Sequence, residues 1–102
     1  MNNIDLARLR KLSLERGDTG GPESRDSLIT AFLTQLEEVV CEKAVSKISD
    51  NILNCMYTRW VKAINTGEDE DQRKQRLINS VYFNPFVEPD EKLAENVKSI
   101  FG

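Results

Sequence analysis

The sequence contains no histidine and only two cysteines among its 102 residues. Histidine is the commonest general base, the commonest metal ligand and the usual pH switch, so the chain lacks the residue on which these roles most often depend. Ser–His and Cys–His nucleophile pairs are excluded for the same reason. The motifs CxxC, GxGxxG and GxxxxGK do not occur either. We therefore expect a protein that is not an enzyme and that holds no cofactor and no metal.

The chain also lacks an excess of basic residues, since 14 Lys and Arg stand against 17 Asp and Glu and the net charge is -3. Binding nucleic acid requires a surface rich in Lys and Arg that neutralises phosphate. Two local clusters could still meet phosphate or an acidic partner, and they consist of Arg8, Arg10 and Lys11, and of Arg73, Lys74 and Arg76.

The second basic cluster allows an alternative function, that of a helical nucleic-acid-binding regulator of transcription or replication. A helix-turn-helix would place its turn at 65–71 and its recognition helix at 70–83. Four acidic residues, Glu68 to Asp71, lie in that turn and would repel phosphate. We therefore expect nucleic-acid binding less than protein binding.

Long apolar runs are absent, and no segment approaches the length of about 18 apolar residues that a membrane-spanning helix needs. The N-terminus shows no basic-then-apolar signal pattern. We expect a cytoplasmic or nuclear protein that is not secreted and does not bind a membrane. Cys41 and Cys55 are then expected as small buried side chains in a reducing compartment.

One long stretch, from Ser27 to Ile64, contains neither glycine nor proline. Its apolar residues recur at steps of mostly three and four, which is the spacing of one helical face. A continuous helix of this length would measure roughly 60 Å. The polar cluster at Ser46–Asn51 favours a kink or a break, with Ser49 or Asp50 starting a second helix. The missing glycine and proline favour continuity, and we predict one long central helix that is continuous or kinked near 46–51.

The flanking segments predict an all-α fold around that helix. Residues 1–16 form a short N-terminal helical arm, and the glycines of GDTGG with Pro22 make 17–22 a flexible linker to the helical domain 23–102. Two short C-terminal helices pack back on the central one. The first begins after Gly67, and the second begins at Pro89–Asp90 and ends near Phe101.

The most aromatic segment is VYFNPFV at 81–87, which is either a hydrophobic plug over the central helices or a set of interface anchors. The second interpretation predicts a small helical protein–protein interaction module that serves as an adaptor, scaffold or regulatory subunit. Because the central stretch carries more apolar surface than three short helices can cover, we also expect a homo-oligomer. The candidate protein-binding residues are Trp60, Tyr82, Phe83, Phe86, Leu93, Val97 and Phe101.

Overall fold

The structure is a computed structural model that describes residues 3–15, 22–84 and 90–101. These residues form six helices and no strand, so the predicted all-α class is confirmed. The helices are α1 (Asn3–Glu15), α2 (Pro22–Val39), α3 (Glu42–Lys47), α4 (Asp50–Asn65), α5 (Glu70–Tyr82) and α6 (Glu91–Phe101).

The prediction of one long central helix is wrong, because the stretch divides into α2, α3 and α4. The first break lies at Val40 and Cys41, where the backbone of Cys41 is extended (φ -66°, ψ 151°). In a continuous helix the Cys41 N–H would donate to the carbonyl of Glu37. Here it donates to Oδ2 of Asp90 (2.8 Å), and the Glu37 carbonyl accepts from Nζ of Lys92.

Asn96 of α6 supplies two further hydrogen bonds to the end of α2. Its Nδ2 donates to the carbonyls of Glu38 (3.0 Å) and Val39 (3.1 Å). Carbonyls at the end of a helix have no N–H donor within that helix. Asp90 in turn caps α6 by accepting from the N–H of Leu93 at 2.8 Å. The end of α2 and the start of α6 therefore hold each other in place.

The second break lies at Ile48 and Ser49, inside the polar cluster that the sequence marked. The Ile48 backbone is extended (φ -67°, ψ 132°), and the hydroxyl of Ser49 caps α4 by accepting from the N–H of Ile52 at 3.4 Å. The alternative in which Ser49 and Asp50 start a new helix thus describes this junction, whereas the break at Cys41 carries no such polar signal.

Helix α2 lies at the centre of the molecule and contacts each of the other five described helices. Its apolar face is completely buried within the single chain. The buried residues of this face are Ile29, Phe32, Leu33, Leu36 and Val39. The radius of gyration is 13.2 Å, which is close to the value of about 13 Å for a folded domain of 100 residues.

Helix α1 packs against α2, α3 and α4, with Leu9 and Ser13 fully buried. The linker predicted at 17–22 falls largely outside the described residues, so the division into arm, linker and domain stays a prediction. Cys41 and Cys55 are both free thiols, and both are exposed. The expectation that they would be buried is therefore wrong.

Candidate protein-interaction surface

Helices α4 and α5 form a hairpin whose connection is fixed by backbone geometry at Gly67. This glycine has a φ of 85°, a value that favours glycine. The N–H groups of Gly67 and Glu68 donate to the carbonyls of Ile64 and Ala63, each at 3.0 Å, which ends α4 in a Schellman motif. A capping box then starts α5, with Asp69 accepting from the Gln72 N–H at 2.9 Å. The hairpin is therefore closely specified by local sequence.

The single tryptophan, Trp60, joins this hairpin to α2. Its Nε1 donates to Oε1 of the buried Gln35 at 2.6 Å, and Nε2 of Gln35 donates to the carbonyl of Glu70 at 2.9 Å. Phe32 meets the indole edge to face with 5.7 Å between ring centroids, and the guanidinium of Arg73 lies 5.3 Å from the indole centroid. Trp60 is thus held on several sides inside the fold.

A cleft of about 190 Å³ opens between α4 and α5 beside this tryptophan. We call it the arginine cleft, because three arginines, Arg59, Arg73 and Arg76, line it. Its apolar wall consists of Met56, Trp60 and Leu77, and Asn79 and Ser80 complete it towards the end of α5. No acidic side chain among the described residues lines the cleft.

The arginine cleft continues into a second depression of about 400 Å³, which shares Arg59 and Arg76 and adds Lys62 and Glu68. Glu68 holds Arg76 through Nε at 2.7 Å and Nη2 at 2.5 Å. These hydrogen bonds, followed by the charge of Glu68, raise the pKa of Arg76. Arg73 is also held, since its Nη1 donates to the carbonyl of Glu68 at 2.7 Å.

Arg59 differs from these two arginines because it is exposed and makes no hydrogen bond or ion pair with any described residue. Lys62, three residues further along α4, is exposed and equally unengaged within the described ranges. Sequence reasoning missed both residues, because they are isolated in the sequence and form no basic cluster there. Helical periodicity was the available signal, since positions three apart lie on one face.

Two aromatic rings stand at the end of α5 and form what we call the aromatic tip. Tyr82 is 51% exposed and Phe83 is 70% exposed, and their rings meet edge to face with centroids 4.9 Å apart. Phe83 follows the cleft residues Asn79 and Ser80 by four and three positions, so helical geometry places it beside the cleft.

The other predicted protein-binding residues are distributed differently. Trp60 and Leu93 are buried, and Val97 is partly buried against the core, so the structure uses these three inside the fold. Phe86 and the side chain of Phe101 lie outside the described part of the chain. Of the predicted anchors that are described, only Tyr82 and Phe83 reach the surface with large exposed rings.

Most of the predicted basic residues already have partners within the chain. Arg8 binds Asp5 and Asp50, and Arg10 binds Asp26 through two hydrogen bonds of 2.9 and 3.0 Å. Lys74 lies 3.9 Å from the carboxylate of Glu38. Lys11 is exposed and has no partner among the described residues. Five of the six predicted basic residues, all except Lys11, therefore already have partners within the chain.

Comparison of the chain with protein-family models, with curated proteins and with solved structures gives no match. None of the described helices is both long enough and apolar enough to cross a membrane. Within the described ranges, no three Cys, Asp or Glu side chains are grouped so that they could bind a metal ion.

Proposed function

We propose that this chain is a non-enzymatic protein–protein interaction module of the adaptor or regulatory kind, and that it binds its partner through the aromatic tip. The observation that carries the proposal is the exposure of Tyr82 and Phe83, at 51% and 70%, on the end of a well-anchored helix. Aromatic rings bury large apolar areas at little cost in conformational entropy, which makes them frequent anchors of interfaces.

The rigidity of the support favours this interpretation over a loosely attached hydrophobic plug. Leu77, Ile78 and Val81 of α5 are buried in the core, from five residues to one residue before Tyr82. The tip is therefore presented by a helix whose orientation is fixed before binding, which lowers the entropy lost on association.

We predicted self-association because the central stretch carries more apolar surface than short helices could cover. In the structure the apolar face of α2 is covered within one chain, so that argument no longer applies. We propose instead that the tip binds a different protein. Light scattering on the purified chain tests this point, and a dimer that persists in the variant Phe83→Ala would restore the central stretch as an interface.

Nucleic-acid binding receives no specific support from the geometry, since Arg73, Lys74 and Arg76 all have partners within the chain. It stays a prediction with a clear test. Binding to duplex or single-stranded oligonucleotides should weaken steeply with salt and should fail when these three residues become Ala.

The direct test of the proposed function replaces Phe83 with a photo-crosslinking phenylalanine analogue in the native host. We expect ultraviolet light to join position 83 to one defined protein. The same analogue at the exposed Lys43 of α3 serves as the control and should give no such product.

A matched pair of alanine variants completes the test. Ile4 is 68% exposed and Phe83 is 70% exposed, so Ile4→Ala is a control that also truncates a large exposed apolar side chain. We expect only Phe83→Ala to lose the crosslinked protein in affinity capture. Equal retention by both variants, or equal crosslinking from positions 43 and 83, would overturn the proposal.

A further inference from the structure

We propose that the arginine cleft receives acidic side chains of the partner, so that the ligand of this module is an acidic peptide segment with an aromatic or aliphatic residue beside its acids. The inference rests on the proposed function and specifies the chemistry of the partner. The apolar residue would pack on the aromatic tip while the carboxylates meet Arg59 and its neighbours.

The distribution of charge supports an acidic ligand. The whole chain has a net charge of -3, yet three arginines line the arginine cleft. Glu68 at its edge compensates the charge of Arg76, whereas Arg73 bonds only a neutral carbonyl and Arg59 bonds no described residue, so the cleft keeps an excess of positive charge. Arg59 has no partner among the described residues, so its charge is available to a ligand without breaking an existing bond. Arginine binds carboxylates in a planar, two-pronged geometry that adds specificity to the attraction.

The arginine cleft itself has a size that suits a single peptide side chain. Its volume of about 190 Å³ is below the range of about 300–1,000 Å³ that is usual for small-molecule pockets. The adjoining depression with Lys62 extends the charged surface along the hairpin. Two adjoining depressions that share Arg59 and Arg76 suit an extended or helical segment that places successive side chains in them.

The position of the cleft links it to the aromatic tip. Asn79 and Ser80 line the cleft and lie one helical turn before Phe83. A ligand that fills the cleft is therefore within one turn, or about 5.4 Å along the axis, of the exposed rings. This spacing matches an acidic residue and an apolar residue that are three or four positions apart on a helical ligand.

Acidic residues at the hairpin connection argue against a polyanion in the same place. Glu68, Asp69, Glu70 and Asp71 follow one another where α4 passes into α5. A nucleic-acid backbone running along the hairpin would place its evenly spaced phosphates beside these charges, whereas a peptide can place its few acids beside Arg59 and its other side chains elsewhere. The local chemistry therefore selects a peptide.

The test is a selection of random 12-residue peptides displayed on phage against the full chain. We expect enriched peptides to carry acidic residues three or four positions from Phe, Leu or Trp. The synthetic form of the best peptide should bind the variant Arg59→Glu about tenfold more weakly or worse, because a repulsive charge replaces an attractive one. Lys43→Glu makes the same change of charge at an exposed site elsewhere and should bind like the unchanged chain.

Three results would overturn the inference. They are the absence of any enriched sequence, enrichment of sequences without acidic residues, and equal binding by the Arg59→Glu and Lys43→Glu variants. Tight binding of a labelled 20-nucleotide strand that Arg59→Glu abolishes would replace it with the nucleic-acid function. Crosslinking from position 83 together with any of these results would leave the proposed function intact, so the two failures are distinguishable.

Discussion

Arg8 on α1 and Arg59 on α4 show how differently two helical arginines serve one small protein. Arg8 contacts Asp5 at 3.0 Å and Asp50 at 2.8 Å, and its Nη2 donates to the carbonyl of Ile48 at the α3–α4 break. Its side chain is only 19% exposed. Arg59 is exposed, lines the arginine cleft and has no partner within the described ranges.

The difference follows from what each arginine faces. Arg8 lies at the junction between α3 and α4, where the end of a helix leaves carbonyls without intrahelical donors. A guanidinium with five N–H groups can donate to several of these carbonyls at once. Arg59 lies on a complete helix whose carbonyls are already bonded, so nothing in the fold requires its charge. Arg8 thus contributes to stability, whereas Arg59 is available for binding.

The largest effect is expected at Trp60, which forms the wall between the arginine cleft and the core. Replacing Trp60 with Ala should lower the free energy of unfolding by about 3–5 kcal/mol, because it leaves a cavity and removes the partner of Gln35. Urea denaturation measures this loss. Trp60→Phe keeps an aromatic ring and should cost less, and a cost for Ala below about 1 kcal/mol would show that the cleft side does not share the common core.

A smaller loss is expected for Arg8→Ala. It leaves the carboxylate of Asp5, which is 1% exposed, with the hydroxyl of Ser46 at 3.2 Å but without its cationic partner. We expect the free energy of unfolding to fall by about 2–3 kcal/mol, below the usual cost of breaking a fully buried pair. Amide hydrogen exchange should also quicken in α1. Unchanged exchange there would contradict the view that Arg8 holds α1 to the α3–α4 break.

The smallest effect is expected for Arg59→Ala. Because this side chain has no partner among the described residues, the free energy of unfolding should change by no more than about 0.5 kcal/mol. The same urea measurement serves for both arginines, so each variant is the control for the other. A cost similar to that of Arg8→Ala would remove the contrast and show that Arg59 belongs to the fold.

Local signals in the sequence account for part of the fold. Gly67 ends α4 and Ser49 caps α4 as their residue types suggest, because both act on backbone groups a few positions away. The break at Cys41 could not be predicted in this way. Its N–H binds Asp90, which is 49 positions later in the chain, so the decisive partner is visible only after folding.

The candidate site shows the same division between local and distant information. The aromatic composition of 81–87 pointed to Tyr82 and Phe83, which are exposed, whereas Trp60 and Leu93, which lie on apolar helical faces, are buried. Basic clusters in the sequence pointed to Arg8 and Arg10, whose acidic partners lie up to 42 positions away. Arg59 was overlooked because exposure without a partner is a property of the packed molecule.

The position of Trp60 also gives the protein a built-in optical reporter. It is the only tryptophan, it is 5% exposed, and one side of its indole faces the guanidinium of Arg73 in the arginine cleft. Indole emission responds to nearby charge, and a carboxylate drawn to Arg73 would alter the field across the ring. Occupancy of the cleft can therefore be followed by intrinsic fluorescence, with no dye attached to either molecule.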